Sequence, residues 1–135
     1  MAIVFAKYSS LLPSNPARSV LVLSLVNSLG LLSPHYSASR RIQVIKPIRA
    51  SYKELAAYHS REYLDAVLHT TLPTGDSSPS SVQAVATSAA AFGLEDDCPV
   101  FDGMSEYVQL VGGATLTAVK ALQAMDIAIC WDGGR

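Results

Sequence analysis

The stretch that most constrains this chain is "DIAICW" at 126–131, with "DGGR" after it. An apolar run of this length reads as a strand buried on both faces, so it predicts a central strand with cover on each side. Asp-Gly-Gly after it reads as a tight turn. Strand ends that open into Gly-rich turns are where α/β folds place chemistry. The expectation is therefore a site at this turn. The C-terminus reads as a cut, with catalytic residues due to follow.

The rest of the chain suits the same plan. "AIVFA" at 2–6 reads as a short buried strand, and Pro13 and Pro16 keep the next segment out of helix. Leu21, Leu25, Leu29 and Leu32, widened by Val22 and Val26, predict an apolar helix from Arg18. Gly30 and Pro34 should stop it. A helix this apolar should lie under other elements. "RIQVIKP" at 41–47 suits a strand. Ser51 with Glu54 forms a capping-box pattern for "YKELAAYH", and Ser60 should open the helix "SREYLDAVLHT" with Tyr63, Val67 and Leu68 on its apolar face. Residues 71–81 read as a loop, and "VQAVATSAAAFG" has helix propensity with little periodicity. The clearest helix runs from about Ser105 to Met125, with Met104, Val108, Val111, Thr115, Val119, Leu122 and Met125 in helical period. Gly112 and Gly113 inside it call for a close neighbour. Helices between short apolar strands predict an α/β layer structure with a parallel sheet.

Composition narrows the function. The 135 residues suit one domain, and 50% are apolar while 16% are charged, against about 25% charged in an ordinary domain. Such a chain has much to bury. A net charge of -1 gives no sign of phosphate neutralisation, so direct nucleic-acid binding is not expected. Cys98 and Cys130 match no metal-ligand spacing, and His35, His59 and His69 form no zinc-binding pair, so no metal site is expected within the chain. "SVLVLSLVNSLGLL" at 19–32 is too short to span a bilayer and contains Asn27 and Gly30, so no membrane partner is expected. A signal peptide over the same residues is the weaker alternative to a buried helix.

"AYHSREYLDAVL", "FGLEDDCPVFDGMSEYVQLVGGATLTAVKAL" and "AICWDGGR" resemble the N-terminal part of the class I, zinc-dependent histone deacetylases. "RSVLVLSLVNSLGLL" with "IQVIKPIRAS" is similar to that family's first helix and following strand. The resemblance covers nearly the whole chain, 1–135. It implies the three-layer arginase-deacetylase fold with a parallel sheet, of which only the N-terminal part is present. In that family a His-His pair follows the W-x-G-G exit, and two aspartates and a histidine hold Zn²⁺. Those residues are absent here, so catalytic and metal-binding residues are expected to be none. Zinc would belong to the complete family domain, with none bound by this chain.

For residues that are present, the resemblance implies roles. Asp97 would lie on a rim loop and accept hydrogen bonds from substrate N–H groups; the plainer reading is a loop aspartate capping its own turn. Arg18 would line an internal cavity; the alternative is a helix-start arginine in solvent. Gly133 and Gly134 would form the active-site floor. Trp131, Cys98 and Cys130 read as packing residues. Arg61 stands where many relatives carry an acid, and the Ala-rich stretch at 84–91 looks inserted.

The expected function is that of a zinc-dependent lysine deacetylase, an amide hydrolase of acetyl-lysine, inactive as this chain stands. Its partners would be acetylated histone tails or other acetyl-lysine proteins, with corepressor proteins, in the nucleus and also the cytoplasm, serving chromatin regulation and repression of transcription. The alternative is a truncated non-catalytic regulator, or remnant, that binds deacetylase partners.

Overall fold

The computed structural model describes residues 7–12, 16–35, 42–70, 72, 79–96 and 98–133. After a helical turn at 7–9 come α1 (Arg18–Ser28), α2 (Tyr52–Leu55), α3 (Arg61–His69), α4 (Pro79–Ala91) and α5 (Met104–Ala121). Local chemistry sets several of these boundaries. Ser51 accepts from the Glu54 N–H, and the Glu54 carboxylate reaches back to the Ser51 N–H, which completes the capping box. Ser60 accepts from the Tyr63 N–H at 3.2 Å and opens α3. α1 gives way at Leu29, and Gly30 takes the left-handed backbone that ends helices.

Helix α5 organises the interior. Its residues Met104, Tyr107, Leu110 and Gly113 are buried, one every three positions. Around them gather Tyr8, Leu12, Val67, Ala89, Leu94 and Phe101. A second cluster of Ala50, Leu55 and Leu64 joins this one through Tyr63 and Val108. The buried stripe of α5 is rotated from the one that the sequence predicts. Val108 and Val111 are only half-buried, while Thr115, Val119 and Leu122 are exposed, and the helix ends at Ala121 before a turn. Aromatic Tyr107 competes for the interior, and Gly113 presents bare backbone to a neighbour.

That neighbour is the segment at 48–50. The Ala50 N–H donates to the Gln109 carbonyl of α5 at 2.9 Å, and the Ile48 N–H donates to Thr117 Oγ1 at 3.2 Å. Arg49 between them forms an ion pair with Glu106, whose other oxygen accepts from the Tyr8 hydroxyl. The chain leaving 42–47 is thus captured by helix α5.

This overturns the expected α/β architecture. Among the described residues there is no strand and no sheet, so the three-layer arginase-deacetylase fold that the resemblance implied is corrected to an arrangement of helices and irregular segments. Residues 42–47 and 126–131 both carry no regular structure. The physical reason is that an apolar run specifies burial and not a ladder partner. A strand exists only when its N–H and C=O groups pair with a neighbouring strand. The expected strand at 2–6 lies outside the described residues. The expected burial of α1 is corrected as well: only Val26 is buried, and Leu21 and Leu25 are 62% and 59% exposed.

Candidate binding surface

α1, the segment at 42–47, the C-terminal half of α5 and residues 124–132 enclose an apolar trough of about 830 Å³. Val22 and Val26 of α1 line it, as do Ala114, Ala118 and Ala121 of α5. The alanines leave room because each side chain ends at Cβ. Two carboxylates, Asp126 and Asp132, are the charged groups among the described residues of its wall. Ser19 at the start of α1 donates to Asp132 and ties that helix to the far end of the 126–132 segment. Thr115 and Cys130 approach to 3.8 Å between Oγ1 and Sγ.

Several residues of the trough's own wall are exposed. Val44 is 77% exposed and Ile127 is 76% exposed. Ile129 and Trp131 of the same wall are also exposed, as are Ile48, Val119 and Leu122 outside it. Scattered surface leucines are ordinary, but exposed apolar side chains gathered on the wall of one trough make it a candidate interaction site.

The structure separates the residues that the sequence singled out. Arg18 is half-buried at the first position of α1, beside Ser19, and makes no ion pair with another described residue. Gly133 is half-buried at the turn, where a Cβ would meet Cys130 Sγ at 3.2 Å and Thr115 Oγ1 at 3.4 Å. Asp97 and Gly134 lie outside the described residues. Beside Asp97, the Cys98 N–H donates to the Glu95 carbonyl at 2.8 Å, and Asp96 adopts a left-handed backbone with φ 43°. Burial, and then the charge of nearby Cys98, push the Tyr63 phenol above its ordinary range. Trp131 is corrected from core to exposed. The trough itself was missed by the residue-by-residue reading. Its signal was the near absence of charge in three separated runs, 19–32, 42–45 and 127–131.

Among the described residues, no group of three or more His, Cys, Asp or Glu side chains is placed to hold a metal ion. Nor is any helix among the described residues long and apolar enough to cross a membrane. The zinc-dependent amide hydrolase expected from the resemblance does not stand. That chemistry was expected on an α/β scaffold, and the described residues contain no sheet to position it.

The histone deacetylase domain matches this chain over residues 12–135. Histone deacetylase 8 of Xenopus tropicalis is 38% identical over 122 residues, covering 88% of this chain and 29% of that protein. Histone deacetylase 8 of Danio rerio is 39% identical over 121 residues, covering 88% of this chain and 28% of that protein. The chain thus spans less than a third of the length of these curated relatives. No solved structure matches. Zinc dependence is a property at the level of the family. The departure is in architecture and in the chemistry it would support; by sequence, the chain belongs to the histone deacetylase domain family.

Proposed function

We propose that this chain is a non-catalytic member of its family that acts by binding a deacetylase partner. The observation that carries this reading is the quantity of its exposed surface. Its accessible area is 9123 Å². A folded monomer of 14.3 kDa exposes about 6,800 Å². The excess is roughly 2,300 Å², against about 800 Å² per partner in an ordinary stable interface. Part of the apolar surface, with Val44, Ile45, Ile127, Ile129 and Trp131, lines one trough. Its burial against a partner would contribute stability in proportion to the area removed from water.

The partner is a full deacetylase chain, with corepressor proteins as further members of the assembly. The setting is the nucleus, and also the cytoplasm, because a regulator must share its partner's compartment. The chain itself holds no zinc in this reading.

The test is sedimentation velocity of the purified chain mixed with a purified full-length histone deacetylase. A stoichiometric complex at micromolar concentration is expected, together with a changed rate of deacetylation by the partner. Metal analysis of the chain alone should find less than stoichiometric zinc. Separate sedimentation of the two proteins at tens of micromolar, or turnover of acetyl-lysine peptide by the chain alone, sinks the proposal.

A further inference from the structure

We draw no further inference here: the strongest candidate, the string of rings formed by Tyr58, His59, Tyr63 and Phe92 where α3 begins and α4 ends, has its outer member Tyr58 exposed, and nothing in the structure shows what covers it.

Discussion

The carbonyl oxygen of Ile48 lies 1.8 Å from where a β-carbon on Gly113 would stand. Real β-carbons do not approach a backbone oxygen so closely, so residue 113 of this helix is held to glycine by its neighbour. The same approach allows Ala50 to donate to Gln109 and thereby fixes the segment at 48–50 against α5.

Gly113→Ala should therefore destabilise strongly. Alanine in a helix interior gains about 1 kcal/mol over glycine, but relief of the clash requires backbone to move, which costs about 3 kcal/mol or more. Gly112→Ala meets the end of the Leu55 side chain at 2.8 Å, which can rotate away. Urea unfolding should show a large loss for the first variant and a change within about 1 kcal/mol for the second. Equal effects would mean that 48–50 does not lie on α5.

The interior and the exposed leucines should respond differently to truncation. Leu64 has no exposed surface, whereas Leu21 is 62% exposed. Leu64→Ala should lose about 2–5 kcal/mol by creating a cavity. Leu21→Ala should stay within about 0.5 kcal/mol. Thermal melts of the two variants decide the matter. A large loss from Leu21→Ala would show that α1 is covered in solution.

Ser60→Ala removes the oxygen that accepts from the Tyr63 N–H. Such caps contribute about 1 kcal/mol, and the loss should appear as earlier fraying of α3 in amide exchange at residues 61–64. Protection there that matches the unsubstituted chain would remove the cap from the account of α3.

The capping box of α2 predicts a pH dependence with a definite sign. Hydrogen bonds from the Ser51 backbone and then from its hydroxyl hold the Glu54 carboxyl below its ordinary value of 4.5. Lys120 lies 3.8 Å away and acts in the same direction. A carboxyl whose folded value is depressed contributes stability above its unfolded value and loses it as pH falls through the folded one. Glu54→Gln should therefore be less stable than the unsubstituted chain at neutral pH, and the difference should shrink as pH falls through and below 4.5. A difference that grows on acidification would reverse the assignment.

Short-range chemistry was legible from particular residues. Ser51 with Glu54, Ser60 before α3, and Gly30 after α1 specify helix ends through bonds that close within a few positions, so no distant partner is needed. The demand of Gly112 and Gly113 for a close neighbour was also legible, because only a near approach explains glycine in a helix interior. Family membership too was carried by local motifs. The tertiary structure decided which neighbour came close, which face of α5 turned inward, and whether 42–47 and 126–131 joined in a sheet. Apolar runs state that surface should leave water, and that force has no direction. Backbone pairing does have direction, and its partner is chosen by the whole chain: the N–H groups of Ile48 and Ala50 went to α5. The sequence alone thus determined the helix ends and the excess of apolar surface, while only the assembled chain decided that part of this surface would line one trough.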